Sequence, residues 1–275
     1  MKKLLAALLG TALLMGAMAV NATPEQDRKE LLELYKKKFP NIKFEDYVNG
    51  ALNFNPDALA QYRSIMEFPP YDSQFDEGKK MWDTPFKNGK KYAECFPNGG
   101  KNMAGHYPYF DESLGKVVTY EMAINSCRKT NGEDELDYKG APIGLLTAYS
   151  RSLSDGMKVS VKVEGPKAIE AFKKGKDLFY GRRGQLNFAC ATCHVQNVGN
   201  TLRTELLSPA LGHAAHWPEF RAGESITTLQ QRYTQCIRNV RGTPFQEGGD
   251  DYNNLEYFHT YLSNGLPMQT PVFRK

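Results

Sequence analysis

From Pro24 to Lys38 the apolar residues Leu31, Leu32, Leu34 and Tyr35 recur on one side of a helical period and predict an amphipathic helix. Asn41 to Tyr71 reads as a helical or loop-rich extension closed by the breaker pair Pro69-Pro70. Farther on the period changes. Met157, Val159, Val161 and Val163 alternate with Lys158, Ser160, Lys162 and Glu164, which predicts a short strand after the turn pair Asp155-Gly156. Gly165-Pro166 then opens a helix with proline in its first turn, and Ile169, Phe172 and Phe179 share one face of it. A second helix is expected over 251–263, carrying Leu255, Tyr257, Phe258, Tyr261 and Leu262. Between these two helices lies a long stretch rich in Gly, Pro and Arg with little periodicity. Such a stretch is odd in a self-sufficient core but expected of chain that wraps a large cofactor.

The break before Gly165 divides the chain into residues 23–160 and 161–275, and a faint repeat links the two parts. Phe75-x-x-Gly78-Lys79-x-Met81-Trp82 matches Phe172-x-x-Gly175-Lys176-x-Leu178-Phe179 at an offset of 97. Cysteine follows each copy, Cys95 in the first and Cys190 with Cys193 in the second, so two domains of one fold are predicted. Residues 1–22 differ from both. Met1-Lys2-Lys3 precedes 17 uncharged residues from Leu4 to Val20, and both Ala17-Met18-Ala19 and Val20-Asn21-Ala22 suit a signal peptidase. This is the pattern of a secretory leader, too short to be a membrane span, and no later stretch reaches that length. Export to the periplasm is expected, where disulfides persist.

Composition adds mainly exclusions. Hydrophobic residues at 41% and charged residues at 24% are those of a globular chain, which argues against disorder or a fibre. The 35 Lys and Arg against 31 Asp and Glu leave a net charge of +4, or +2 once Lys2 and Lys3 depart with a leader. With no basic run interleaved with aromatics, nothing points to nucleic acid.

The chemistry is concentrated in the five cysteines. Cys190-Ala191-Thr192-Cys193-His194 is the attachment pattern for c-type haem. Its two thiols can add to the two vinyl groups of one haem, and His194 is then placed to bind the iron from the proximal side. A redox C-x-x-C would want a thioredoxin-like βαβ pattern, and a zinc site a second ligand pair; neither is present. Side chains available for the distal face of the iron are His213, His216, Cys236, His259 and Met268. Small cytochromes c take that ligand from the segment before the C-terminal helix. Met268 follows the final helix and His259 lies inside it, where packing is its expected use. Cys236 sits before the helix, 42 residues past His194, with His213 and His216 as alternatives.

Subtracting the two thioether cysteines leaves Cys95, Cys127 and Cys236. Cys95 and Cys127 flank 31 residues of the first part and are expected to pair, closing a loop that stabilises by roughly 3–4 kcal/mol. Cys236 is then the odd thiol, and Arg232, Arg238 and Arg241 surround it in sequence. If the segment is helical, Arg232 lies one turn before Cys236 on the same face. Nearby cations favour thiolate and guanidinium groups hold oxyanions, whereas Arg238 and Arg241 serve equally well as partners of haem propionates or as a solvated face.

The sequence resembles the SoxA family, the larger subunits of the bacterial SoxAX cytochromes of thiosulfate oxidation, over nearly the whole chain after the leader. The resemblance rests on Phe179-Tyr180-Gly181-Arg182-Arg183-Gly184-Gln185-Leu186-Asn187-Phe188 leading into the C-x-x-C-H motif. Leu207-Ser208-Pro209-Ala210-Leu211-Gly212 before His216-Trp217-Pro218, and the Arg232–Arg241 segment, also match. Some members carry a haem in each of two cytochrome c-like domains. Here Cys95-Phe96-Pro97-Asn98-Gly99 stands where a second C-x-x-C-H would be needed, so the resemblance is to single-haem members.

It implies a mainly α fold of two tandem class I cytochrome c-like domains, the first without haem, with an N-terminal helical extension and little β structure. The implied activity is an L-cysteine S-thiosulfotransferase that couples thiosulfate to a cysteine of the carrier SoxYZ and releases two electrons. Cys236 would be the distal ligand and reacting group, commonly a persulfide, beside Arg232. One haem c, a SoxX cytochrome subunit and a soluble cytochrome c acceptor complete the expectation. The competing readings are a plain periplasmic electron carrier and a thiosulfate dehydrogenase that forms tetrathionate.

Overall fold

The structure, a computed structural model, describes residues 23–221 and 226–274. The expected leader, residues 1–22, lies outside the described residues. Among them the fold is mainly helical, with three small two-stranded sheets. Helix α1 (Pro24–Lys38) starts where Thr23 accepts the Gln26 amide and proline occupies the first turn, and it buries Leu31 and Tyr35. The extension expected to 71 is a 3₁₀ segment (Phe44–Phe54) and helix α2 (Pro56–Ile65), capped by Asn55.

Two sets of three helices follow. The first comprises α3 (Asp72–Asp83), α4 (Tyr120–Thr130) and α5 (Ala141–Ser152). The second comprises α6 (Pro166–Tyr180), α7 (Leu229–Asn239) and α8 (Asp250–Tyr261). Threonine caps the middle helix of each set, Thr119 in α4 and Thr228 in α7, the latter in a capping box with Gln231. Before each middle helix a cis proline leads into a short strand. Tyr107-Pro108 precedes β1 (Tyr109–Asp111), and Trp217-Pro218 precedes β5 (Glu219–Arg221). Strand β1 pairs antiparallel with β2 (Lys116–Val118), and β3 (Thr201–Leu202) with β4 (Glu205–Leu206). Strand β5 pairs parallel with β6 (Val272–Arg274).

The two glycines of the sequence repeat explain why it exists. In α3 a Cβ on Gly78 would lie 2.2 Å from the Leu145 carbonyl oxygen of α5; in α6 one on Gly175 would lie 1.9 Å from that of Asn254 in α8. Leu145 and Asn254 are each the fifth residue of their helix. The same crossing, with backbones too close for any side chain, is therefore built twice. Apolar residues of both sets and of α1 join in one continuous core.

The strand expected over 157–163 does not form. Its alternation is real in burial, since Val159 and Val161 are buried while Lys158, Ser160 and Lys162 are exposed. Its ladder stops because the facing segment turns at Gly265, φ +89°, where the Leu266 amide bonds back to the Ser263 carbonyl. Only the Lys158–Pro267 bridge forms, flanked by loop bonds such as Val159 N to Leu266 O at 2.9 Å. The side chain of Asn264 then takes both backbone groups of Val161, at 2.8 Å each. The last helix ends at Tyr261, two residues before the expected end, with Leu262 as its C-cap.

Candidate functional site

After α6 the chain turns back on itself through Arg183 and Phe188, which exchange backbone hydrogen bonds of 2.9 and 3.2 Å. Gly184 at the tip has φ +68°, and a Cβ there would meet the Val240 carbonyl oxygen at 2.1 Å. The amides of Gln185 and Leu186 donate to the carbonyls of Arg241 and Val240. The hairpin is thereby stapled to the C-terminal end of α7, and it delivers the C-x-x-C-H motif beside the helix that carries Cys236.

The motif itself forms a short π-helical turn over Thr192–Gln196, with the Thr192 hydroxyl accepting the Ala189 amide at 3.0 Å. Cys190 and Cys193 are not bonded to each other or to Cys236. Burial first, and then the proximity of Cys236, push the Cys190 thiol up to about 12, and the same two causes raise Cys193. Thiols held neutral are the reverse of what a redox C-x-x-C requires. Among the described residues no group of three or more His, Cys, Asp or Glu is arranged to hold a metal ion.

His194 Nδ1 lies 2.9 Å from the Ser208 carbonyl oxygen, to which it donates, so Nε2 is the nitrogen left to bind iron. Burial, aided by the nearby Arg232 charge, brings this imidazole down to about 4, so the ring is in its neutral, ligand-competent form. Around it, His213 packs 4.6 Å from the His194 ring, 5.0 Å from His259 and 5.7 Å from both His216 and Trp217, centroid to centroid. His213 Nδ1 and Trp217 Nε1 are buried without a protein partner. Buried polar atoms in proteins at large are nearly always satisfied, so two orphans beside the C-x-x-C-H motif fit a prosthetic group that brings polar atoms of its own. Haem is such a group, and the residues present fit it.

Cys236 is the eighth residue of α7, half-buried, and near enough to Cys190 and Cys193 for its charge to be felt by both thiols. Arg232, one turn earlier on the helix, donates to Gln235 Oε1 at 3.1 Å, and its charge reaches His194 and His213. The structure thus brings Cys190, Cys193, His194, Cys236 and Arg232 together, and leaves Arg238 and Arg241 exposed at the end of the helix. His259 is core, as expected, with Nδ1 at 2.9 Å from the Tyr233 hydroxyl. His216 is engaged by Glu219 at 3.0 Å, and Met268 is buried.

Two elements of the site had no sequence signal. One is Tyr35 of α1, legible only as an apolar-face residue, whose hydroxyl donates to the His194 carbonyl and accepts the Ala210 amide. The other is the Tyr233–His259 pair, since neither spacing nor composition distinguishes a tyrosine that will meet a histidine from one that merely packs.

The chain is 45% identical over 256 residues to the L-cysteine S-thiosulfotransferase subunit SoxA of Chlorobaculum tepidum, covering 92% of this chain and 89% of that one. It is 42% identical over 277 residues to the protein of the same name from Allochromatium vinosum, covering 98% of each. The chain belongs to the SoxA family. A crystal structure of SoxXA from P. pantotrophus matches with a TM-score of 0.72 at 28% identity, over 78% of this chain and 84% of that one.

The family model for the SoxA/TsdA cytochrome c domain matches residues 77–159, which hold α4, α5 and most of α3 but no C-x-x-C-H. In this part of the SoxA-family chain a Cys95–Cys127 disulfide is present, with Cα atoms 5.8 Å apart. Cys127 is the eighth residue of α4, the place that Cys236 holds in α7.

Proposed function

We propose that this chain is the SoxA subunit of an L-cysteine S-thiosulfotransferase. The supporting observation is that α7 and the hairpin hold one unpaired thiol, Cys236, and one guanidinium, Arg232, against a C-x-x-C-H motif whose histidine is oriented by Ser208. A single haem c would be attached through Cys190 and Cys193 and ligated by His194 and Cys236. Haem, when bound, supplies the electron acceptor that an oxidative coupling needs. It takes one electron at a time, which is why a second cytochrome of the SoxX kind and a soluble cytochrome c acceptor belong to the reading.

In the first step the Cys236 sulfur bonds to the outer sulfur of thiosulfate, giving Cys236–S–S–SO₃⁻ with loss of the thiol proton and two electrons. Arg232 holds the sulfonate through charge-assisted hydrogen bonds. The carrier thiolate of SoxYZ then attacks the outer sulfur and releases Cys236 as thiolate, an ordinary thiol exchange. The net change joins carrier thiol and thiosulfate as carrier–S–S–SO₃⁻, one proton and two electrons.

The domain division is 23–160, an extension with a haem-less cytochrome c domain, and 161–275, the haem domain. Export to the periplasm follows from the leader-like residues 1–22 and from the cofactor. No helix among the described residues is long and apolar enough to cross a membrane. The test is turnover with thiosulfate, SoxYZ and SoxX, read by mass spectrometry of the carrier. A carrier heavier by one thiosulfate group is expected. Tetrathionate with an unmodified carrier would instead establish the dehydrogenase, and electron transfer without either product the plain carrier.

A further inference from the structure

The N-terminal helix reaches the haem motif through one buried side chain. Tyr35 is fully buried near the end of α1. Its hydroxyl donates to the carbonyl oxygen of His194, while the amide of Ala210 donates to the same hydroxyl at 3.0 Å. The Ala210 amide also reaches the His194 carbonyl directly, at 2.9 Å. Three groups therefore close a triangle, with one corner on the histidine and one on the loop that supplies Ser208, two residues before Ala210. Burial pushes the Tyr35 hydroxyl well up, so it stays a protonated donor. The stacked ring of Tyr47, 5.7 Å away, helps to fix its position.

The consequence concerns the bond between His194 Nδ1 and the Ser208 carbonyl. A ligating histidine that donates its second N–H to a carbonyl is a more basic, more electron-rich ligand, and outer partners of this kind tune the metal. The strength of that bond depends on how rigidly Ser208 is held opposite the ring. We infer that Tyr35 is a positioning residue: by tying the His194 turn to the Ser208–Ala210 loop, it sets how strongly the proximal histidine donates to iron. The inference rests on the proposed haem ligation by His194. It also gives the N-terminal extension a purpose, because the rest of α1 is anchored for the same geometry. Asp27 meets Lys176 of α6 at 2.6 Å, and Lys38 reaches the carbonyls of Gln196 and Val198 at 3.1 and 3.2 Å.

Tyr35→Phe is a mild probe, because the Ala210 amide keeps its direct bond to the His194 carbonyl and no buried N–H is orphaned. The readout is the ferrous-to-ferric ratio of the haem-loaded protein at a fixed poised potential, alongside haem content. Full haem content is expected, with the ratio raised by up to about tenfold, the scale on which loss of such a partner weakens a metal site. Glu33→Ala, on the exposed side of α1 where it meets Lys36 at 2.8 Å, should leave the ratio at the wild-type value. Full haem with an unchanged ratio in Tyr35→Phe overturns the inference and leaves the haem reading intact, as does an equal shift in Glu33→Ala. Should Tyr35→Phe fail to accumulate, 3,5-difluorotyrosine at position 35 keeps the ring and hydroxyl but makes it a stronger donor and weaker acceptor. The ratio must then depart from the wild-type value, and its coincidence with wild type overturns the inference. Wild-type protein that takes up no haem under conditions for c-type maturation sinks the proposed function itself.

Discussion

Cys236 is asked for two things that pull against each other. An axial ligand should be held in place, whereas a group that is handed to a carrier must be reachable. Its half-buried position on α7, with Arg232 one turn away, satisfies both. Cys236→Met would keep a sulfur that can bind iron while removing the transferable thiolate. We expect that variant to retain haem and to lose conjugation of the carrier; wild-type conjugation rates would show that Cys236 is a spectator. Among the described residues the Arg232 head group hydrogen-bonds only Gln235, so Arg232→Ala should leave the fold unchanged. Its effect should appear as a KM for thiosulfate raised by about tenfold or more, the worth of a charge-assisted pair, at full haem content. Much of this was legible in the sequence: the C-x-x-C-H motif is local, and counting cysteines isolates the odd thiol. What was not legible is contact made across long separations. Tyr35 and His194 are 159 residues apart, and a tyrosine on an apolar helix face carries no mark of the carbonyl it will meet.

Among the elements, the crossings of α3 with α5 and of α6 with α8 have the tightest tolerances. Gly78→Ala or Gly175→Ala would place a methyl inside the van der Waals radius of a backbone carbonyl, which no rotamer can relieve. The helices must separate, at a cost of about 1–3 kcal/mol or more for overpacking, read as a lower melting temperature and faster proteolysis. The disulfide of the first helix set works differently, by limiting the unfolded chain. Cys95→Ser with Cys127→Ser should cost about 2–4 kcal/mol and leave conjugation untouched, since nothing of the site lies there. The repeat that marks these crossings was visible as five aligned positions, three of them identical, but α5 was not visible at all. Eight of its twelve residues are buried, on every side, among them Thr147, Ser150 and Arg151. A helix buried all round has no polar stripe and therefore no period to read. The opposite failure occurred at 157–163, where the period of two is present but the facing chain turns away at Gly265.

At the scale of the whole molecule, the two helix sets meet through polar groups as well as apolar ones. Gln231 of α7 donates to the Tyr138 carbonyl at 2.8 Å, just before α5. Deeper in, Gln230 Nε2 binds Glu256 Oε2 of α8 at 2.9 Å and Asn253 Oδ1 at 3.0 Å. Burial and the nearby Glu121 carboxyl of α4 push Glu256 up to about 8, against the smaller opposing pulls of Gln230 and Arg151. Glu121 is itself raised by burial and lowered by Arg151. A carboxyl raised in the folded state binds its proton more tightly there than when unfolded. It contributes stability that is complete below about 4.5 and lost as pH rises through 8. The buried imidazoles His213, His216 and His259 act in the other direction, because they are neutral when folded and protonate near 6.5 when unfolded. Their contribution is lost as pH falls below that value and is constant above it. Between pH 6.5 and 8 the slope therefore belongs to the carboxyl pair. The melting temperature of the haem-loaded protein should fall across this window. Glu256→Gln, which keeps the volume and an acceptor for Gln230, should flatten the fall and raise the melting temperature at pH 8. An equal slope in the variant would place the proton elsewhere in the seam, with Glu121 the next carboxyl to replace.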